Sequence, residues 1–136
     1  MRRGNNVKTI EVSAAVIVNN NKIFCAQRRN DGPLAMKWEF PGGKLESGES
    51  GSVALKRELM EELNLDIDIG DFIMTVHHQY PSFRIIMHSY FINYDSFDIE
   101  LTEHLDSKWL TKDELTSVDW AEADIPIVNK VMELIK

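Results

Sequence analysis

The chain has 136 residues, of which 43% are hydrophobic and 27% charged; this is the composition of one globular domain and excludes a disordered chain. Its 22 Asp and Glu residues exceed its 15 Lys and Arg residues, which leaves a formal net charge of -7. That acid excess argues against nucleic-acid polymers and anionic membranes as partners, and taken alone it also argues against polyanionic substrates. The single cysteine, Cys25, excludes an internal disulfide and a cysteine-based zinc cluster, and we predict it to be a small buried residue on a strand.

The sequence predicts neither a membrane segment nor a signal peptide. No run approaches the ~20 apolar residues that a membrane-spanning helix requires. Arg2 and Arg3 precede an apolar run at residues 14–18, but that run is too short and no small-residue cleavage site follows it. We therefore predict a cytoplasmic protein in which residues 1–136 form a single domain.

The first part of the chain predicts a β-hairpin followed by a short extended piece. Residues 12–18 are β-branched and apolar on both faces, which is typical of a strand covered on both sides. Three asparagines at residues 19–21 indicate a turn, and residues 22–27 return as the hairpin partner. Residues 38–40 predict a brief extended piece, which Pro41-Gly42-Gly43 ends.

A helix is predicted next, over residues 50–63, with an apolar stripe that would seat it on the core. The stripe consists of leucines spaced four apart, namely Leu55, Leu59 and Leu63. Residues 72–79 and 83–92 predict two strands joined at Tyr80-Pro81-Ser82, and residues 108–110 predict a short third strand.

Two more helices are predicted after that strand. Thr111 and Glu114 form a capping box, which satisfies orphan amides at the start of a helix. Asp124-Ile125-Pro126 opens the last helix, with proline near its first turn. Strands interleaved with separated helices predict an α/β fold, with a mixed sheet between helical layers.

The helix over residues 50–63 carries three glutamates on one face. At about 100° per residue, Glu58, Glu61 and Glu62 lie side by side, and like charges at this spacing repel. The last two also lie near the helix C-terminus, where the macrodipole disfavours anions. A divalent cation would remove both penalties, because carboxylate oxygens are preferred Mg²⁺ ligands. The alternative is a solvated acidic face that neighbouring cations partly compensate.

The approach to this helix favours the metal hypothesis. Pro41-Gly42-Gly43 allows the backbone to come close to a ligand, and Glu46 and Glu49 add carboxylates to the same stretch. Five of the 22 acidic residues lie in residues 46–62. With a cation bound, this stretch would attract a small polyphosphate, so the net charge excludes polymers but not nucleotides.

Residues 43–65, GKLESGESGSVALKRELMEELNL, resemble the Nudix box of the Nudix hydrolases. The matching positions are Gly43, Glu49, Arg57, Glu58, Leu59, Glu61, Glu62 and Leu65. Asn64 stands where the family usually has glycine, and Asn tolerates the left-handed conformation of a helix terminus. Residues 38–44, WEFPGGK, resemble the MutT-like subgroup, and residues 121–126 are similar to the closing segment of bacterial members acting on cytidine-type or oxidised nucleotides.

The resemblance implies an α/β/α sandwich with a mixed sheet and a set of metal ligands at the box helix. The implied Mg²⁺ ligands are Glu58, Glu61 and Glu62 together with the carbonyl of Gly42 or Gly43, with Mn²⁺ as an alternative ion. Arg57 is implied as the orienting partner of a box carboxylate such as Glu49.

Further roles follow from the same resemblance. Glu103 is the implied general base, beside the catalytic positions Arg57, Glu58 and Glu61. Arg28 is expected to contact phosphate or base, and Arg29 is the alternative residue for this role.

The base pocket is expected to contain Phe40, which would stack on the base, and Arg84, which would reach its edge. Asp124 would accept a hydrogen bond from an exocyclic amine, as on cytosine, or would donate to a carbonyl if a dry pocket keeps it protonated. The alternative role for Asp124 is that of a helix N-cap. Trp120 and Phe83 are expected to be core residues.

The four histidines form no metal-spaced pair and are expected on strand surfaces or loops. They are His77, His78, His88 and His104. His88 is the candidate exception, because its strand could line the base pocket.

The function implied is Mg²⁺-dependent hydrolysis of a nucleoside triphosphate to the monophosphate and pyrophosphate, in nucleotide-pool cleaning or on cytidine-type nucleotides. The substrate partner is then a nucleotide, without a nucleic-acid polymer or a membrane. The alternatives are another nucleoside diphosphate derivative, such as ADP-ribose or a dinucleoside polyphosphate, and a catalytically inactive nucleotide sensor. Monomer and homodimer both remain open.

Overall fold

The computed structural model describes residues 8–100 and 103–135, so Arg2 and Arg3 lie outside the described residues. Within them the strands are β1 (Lys8–Asn19), β2 (Lys22–Gln27), β3 (Trp38–Glu39), β4 (Gly42–Lys44), β5 (Phe72–Gln79), β6 (Phe83–Asn93) and β7 (Asp106–Thr111). The α-helices are α1 (Gly51–Leu63) and α2 (Ile125–Leu134), and short 3₁₀ helices cover Lys112–Ser117 and Glu122–Asp124.

The strands form one mixed sheet in which β1 is central. The strand order is β3-β2-β1-β6-β5, with β4 also paired to β1 and β7 to β2. β1 and β6 run parallel, whereas the other pairs are antiparallel. Asn20 and Asn21 adopt positive φ angles of 52° and 63° between β1 and β2, as the predicted asparagine turn requires. The predicted hairpin and mixed sheet are therefore confirmed.

The two α-helices cover opposite faces of the sheet, because successive β1 side chains point to opposite sides. The leucine stripe of α1 packs with Ala15 and Ile17 of β1. Val16 belongs to the cluster on the other face, together with Ile127 and Val131 of α2. Each fully buried aliphatic side chain contributes roughly 1.5–3 kcal/mol to folding. This arrangement confirms the predicted α/β/α sandwich.

Two local predictions needed correction. The chain rejoins the sheet at Gly42 as β4 instead of leaving it, because glycine allows the backbone to approach β1 closely: a Cβ on Gly42 would lie 1.9 Å from the carbonyl oxygen of Ser13. The Thr111–Glu114 box begins a 3₁₀ helix rather than an α-helix, and that helix ends where Val118 returns to extended backbone.

The ends of α1 are formed as the sequence predicts. Ser50 is the N-cap, and its hydroxyl accepts a hydrogen bond from the Val53 N–H at 3.3 Å. Asn64 is left-handed with a φ of 54°, and its N–H donates to the Met60 carbonyl at 3.1 Å. Asparagine therefore preserves this helix terminus in place of the glycine of the family pattern.

Two further predictions from composition can be compared with the structure. Cys25 is fully buried on β2, and burial raises the pKa of its thiol to about 12, which makes it an inert core residue as predicted. Among the helices of the described residues, none is both long and apolar enough to cross a membrane.

Candidate active site

Arg57 organises carboxylates of α1 and of the loop that precedes it. Its Nε and Nη2 atoms lie 2.8 and 2.9 Å from the two carboxylate oxygens of Glu49, which forms the expected two-pronged contact. Its Nη1 donates to Glu58 and to Glu61, each at 3.0 Å, and Nη2 also donates to the carbonyl of Lys44. These hydrogen bonds lower the pKa of Glu49 to about 2, so Glu49 is an anion throughout the physiological range.

The loop between β4 and α1 is fixed by the same contacts. The Glu46 N–H donates to Glu49 at 2.7 Å, and Glu49 in turn accepts from Arg57 on the helix. The guanidinium therefore links the end of β4, the loop and the helix in one unit. Its five donors in a planar fork suit this task, which a lysine ammonium could not perform.

Glu58 and Glu62 lie where α1 approaches β4. The Glu58 carboxylate rests against Gly43, where a Cβ would come within 2.3 Å of the carboxylate carbon. Burial raises the pKa of Glu62 to about 8, aided by hydrogen bonding to and repulsion from Glu58 and by the charges of Glu103 and Glu39. Glu62 thus lies within range of the charges of Glu58 and Glu103, and the exposed Glu61 is turned toward Arg57.

This cluster fits a hard divalent cation in its chemistry, although not as a preformed cage. Within residues 8–100 and 103–135, no three His, Cys, Asp or Glu side chains are already arranged to hold an ion, and Arg57 takes oxygens of Glu58 and Glu61. The available donors are all oxygens, which suit Mg²⁺ or Mn²⁺. Burial is the main cause of the raised pKa of Glu62, and the repulsion from neighbouring carboxylates that adds to it is the interaction that a bound cation would relieve.

Two adjoining cavities open beside this cluster. The larger, of about 500 Å³, is mostly apolar. Its lining includes Phe40, Tyr80, Phe83, Met87 and Asp124. The smaller, of about 320 Å³, is polar and contains the cluster members Glu62 and Glu103. It is also lined by Arg28, Arg29, Glu39, Gly42 and His104. Arg28, Glu39 and Gly42 line both cavities, so one extended ligand can occupy the pair.

Asp124 is a buried acidic residue in the lining of the larger cavity. It occupies the N-cap position of α2 but makes no capping hydrogen bond with its side chain. Its carboxyl oxygen accepts instead from the Phe40 N–H at 3.0 Å. Burial, and secondarily the charge of Glu39, raises the pKa of Asp124 well above its ordinary value. The N-cap alternative is therefore wrong for the side chain, which remains part of the cavity wall.

Two expected base-pocket residues are not placed as predicted. Arg84 lies outside the cavity, because the alternation of β6 directs Phe83 and Met87 into it and Arg84 to the other face. His88 lies on that other face too, between Thr75 and Glu11, which corrects the hypothesis that it lines the pocket.

Phe40 lines the cavity but is only 4% exposed, with its ring packed 4.7 Å from that of Trp120. Trp120 is thus a core residue, as expected, and Phe40 has little of its surface free for a ligand. Phe83 is half-buried and stacks on Tyr80 in the cavity wall.

Glu39 and His104 are site residues that the sequence did not single out. One carboxylate oxygen of Glu39 lies 3.3 Å from Arg28 Nη1, and the other lies 2.9 Å from His104 Nε2. His104 was expected on a loop surface, yet its side chain is only 11% exposed. The available signals were the position of Glu39 beside Phe40 and that of His104 beside Glu103.

The raised pKa of Glu62 predicts a pH dependence of stability in the metal-free protein. The pKa is about 8 in the folded state against an ordinary 4.5, so between these values unfolding releases a proton and rising pH favours the unfolded chain. With EDTA present, Tm of the Glu62→Gln variant should exceed that of the wild type increasingly as pH rises toward 8. A Tm difference that stays constant across this range would contradict the assignment.

The sequence of this chain is similar to those of known proteins. A family model described as the NUDIX domain matches residues 9–131. The chain is 37% identical over 129 residues to the CTP pyrophosphohydrolase of Escherichia coli (strain K12), covering 94% of this chain and 95% of that one. It is 37% identical over 97 residues to the 8-oxo-dGTP diphosphatase of Proteus vulgaris, covering 71% and 85% of the two chains.

A solved structure agrees with the sequence comparisons. The solution NMR structure of MutT, a Nudix-family hydrolase from methicillin-resistant Staphylococcus aureus 252, matches with a TM-score of 0.78 at 41% identity and covers 94% of this chain and 98% of that one. The α/β/α fold and these relatives together place the chain among the hydrolases. The chain belongs to the Nudix hydrolase family and, within it, is MutT-like.

Proposed function

We propose that this protein hydrolyses a nucleoside triphosphate to the monophosphate and pyrophosphate, with Mg²⁺ as its cofactor and Mn²⁺ as an alternative. The observation that carries the proposal is the continuity of an apolar cavity with a polar cavity that contains Glu62 and Glu103. A nucleoside fits the first and a polyphosphate the second. The relatives named as CTP pyrophosphohydrolase and 8-oxo-dGTP diphosphatase support this reaction class.

The residues have distinct roles in the proposed reaction. Glu58, Glu61 and Glu62, with the carbonyl of Gly42, would hold Mg²⁺, which supplies charge neutralisation for the phosphate oxygens. Glu103 takes the proton of the attacking water as general base. Arg57 keeps Glu58 and Glu61 oriented through the contacts described above.

The test is a hydrolysis panel with product analysis. It contains normal, methylated and oxidised NTPs and dNTPs, ADP-ribose and a dinucleoside polyphosphate, each with Mg²⁺ and with EDTA. We expect the monophosphate and pyrophosphate from a triphosphate, and no turnover with EDTA. Preferential turnover of ADP-ribose or the dinucleoside would move the assignment to another Nudix activity. An absence of turnover for every nucleotide would favour the inactive sensor.

Asp124 is proposed to recognise a base that carries a ring acceptor next to an amino group, as cytosine does. Its raised pKa favours the protonated carboxyl, which has one accepting and one donating oxygen. The accepting oxygen binds the Phe40 N–H and has a second lone pair. The opposite oxygen can then donate to the base, whereas an ionised Asp124 could only accept.

Replacing Asp124 by asparagine separates these two states. The Phe40 N–H requires an acceptor, so the amide oxygen stays on that side and the NH₂ group takes the donating position. If the carboxyl is protonated, Asp124→Asn retains kcat/KM for CTP, while Asp124→Ala loses about 10–100-fold. The Asn variant should also lack any decline in kcat/KM that the wild type shows at high pH. A large loss for Asp124→Asn at neutral pH would indicate the ionised acceptor instead.

Two expectations from the sequence remain predictions. They are the cytoplasmic location and the organisation of residues 1–136 as one domain. Monomer and homodimer are distinguishable by light scattering of the purified protein.

A further inference from the structure

Glu39 stands at the junction of the two cavities and accepts from two partners. Arg28 Nη1 lies 3.3 Å from one carboxylate oxygen, and His104 Nε2 lies 2.9 Å from the other. Because a carboxylate only accepts, both partners must donate to it. Glu39 is mostly buried, with 20% of its side chain exposed, so both contacts are partly shielded from water.

Each partner of Glu39 has a buried nitrogen without a hydrogen bond. Within the described part of the chain, Arg28 Nε and His104 Nδ1 are both inaccessible to solvent and unpartnered. The Arg28 Nε–H is a donor under all conditions, and leaving it buried and unpaired is unfavourable. The side chain as a whole is 41% exposed and lines both cavities, so its accessible guanidinium N–H groups can reach the part of the substrate that passes between them.

We propose that Glu39 is a positioning residue which, together with His104, holds Arg28 at the junction, so that Arg28 donates to the phosphate attached to the nucleoside. This inference rests on the proposed function, because it takes the nucleoside to occupy the apolar cavity and the polyphosphate the polar one. Arg28 is the residue that contacts substrate. Glu39 and His104 act through it, since two anchored contacts limit the rotamers that the long arginine side chain can adopt.

A merely structural role for Glu39 makes a different prediction. If Glu39 only neutralised Arg28, its loss would lower stability and weaken every ligand alike. The positioning role instead requires a loss that depends on the phosphate group.

The experiment compares binding of nucleoside and monophosphate by the full chain in EDTA, by calorimetry. The probes are cytidine and CMP, and 8-oxo-deoxyguanosine and its monophosphate. Glu39→Gln removes the negative charge that pairs with Arg28 and turns one of the two accepting oxygens into a donor, so it can keep His104 only with Nε2 as the acceptor. We expect its Kd for the monophosphate that the wild type binds better to rise about 10-fold, with an unchanged Kd for the nucleoside.

Three further variants and one control complete the binding comparison. His104→Ala leaves the Arg28 contact in place but removes the second anchor, and is expected to raise the same Kd by about threefold with no change for the nucleoside. The double variant Glu39→Gln/Arg28→Lys should bind the monophosphate no more weakly than Arg28→Lys alone, because both act on one contact. Asp119→Asn, which breaks the exposed ion pair with Lys37, is the matched control and should leave both Kd values unchanged.

The outcomes separate this inference from the proposed function. Equal losses for nucleoside and monophosphate, or additive effects in the double variant, overturn the positioning role, as does a wild type that binds both probes equally. Failure of the reaction itself appears elsewhere, as absent pyrophosphate in the hydrolysis panel. If Glu39→Gln lowers Tm, the positioning role is judged from His104→Ala instead, because that variant retains the ion pair between Arg28 and Glu39.

Discussion

Replacing Glu58 by glutamine is expected to lower kcat by about 10³-fold, since a proposed metal ligand contributes several kcal/mol of charge stabilisation. Glu58 touches Arg57, Glu62 and the backbone at Gly43, so its carboxylate is at the centre of the cluster. Glutamine keeps the shape but removes the charge. The measurement is steady-state kinetics with the best triphosphate of the panel, over a range of Mg²⁺ concentrations.

The control for this variant is Glu133→Gln. Glu133 is an exposed helical glutamate on α2 that pairs weakly with Lys130, so the variant removes the same charge far from the cluster. Its kcat should match that of the wild type. A Glu58→Gln variant that retains more than about a tenth of wild-type kcat would contradict the proposed role of Glu58.

Replacing Arg57 by lysine is expected to lower kcat/KM by about 10–100-fold, the usual effect of losing a residue that orients metal ligands. Lysine keeps the charge, but a single ammonium cannot span Glu49, Glu58 and Glu61 together with the carbonyl of Lys44. The apparent Mg²⁺ affinity should weaken with kcat/KM, because the same carboxylates would lose their orientation. Both quantities are measured from activity against Mg²⁺ concentration.

The reverse change on the neighbouring residue is the matched control. Lys56→Arg also exchanges one cation for the other on α1, but Lys56 is exposed and faces Asp66 and Asp68, away from the cluster. Its kinetics should be those of the wild type. If Lys56→Arg and Arg57→Lys had equal effects, the contacts of Arg57 would be incidental to the reaction.

Local patterns predicted most of the fold because each depends on neighbours along the chain. The apolar run of β1, the asparagine turn and the leucine stripe of α1 are found as expected. Local patterns did not predict the strand pairing of Gly42. Its pairing with β1 depends on a close approach to Ser13, far away in sequence, so a Pro-Gly-Gly segment was expected to end the extended piece.

The candidate site also has a part formed within one segment of the chain and a part formed by distant segments. Arg57 reaches Glu49, Glu58 and Glu61 within one loop and one helix, and the resemblance to the Nudix box implied that Arg57 orients a carboxylate of this segment. The larger cavity combines β1, β6 and the chain before α2, and no local pattern shows which face of β6 points into it. Arg84 and Phe83 are adjacent in sequence, yet only Phe83 lines the cavity.

The acidic composition taken alone argued against every phosphate-rich ligand. The segment that resembles the Nudix box limited this argument to nucleic-acid polymers and left small nucleotides open as substrates. The sequence by itself determined the family resemblance and the helix with its glutamates, and from these came the prediction of a bound cation, because all depend on residue types at fixed local spacing. Only the tertiary structure decided that Asp124 bonds to Phe40, that Glu61 turns toward Arg57, and that Glu39 joins Arg28 to His104. Those contacts depend on burial and on which side chains compete for each donor, and both are set only when distant segments pack together.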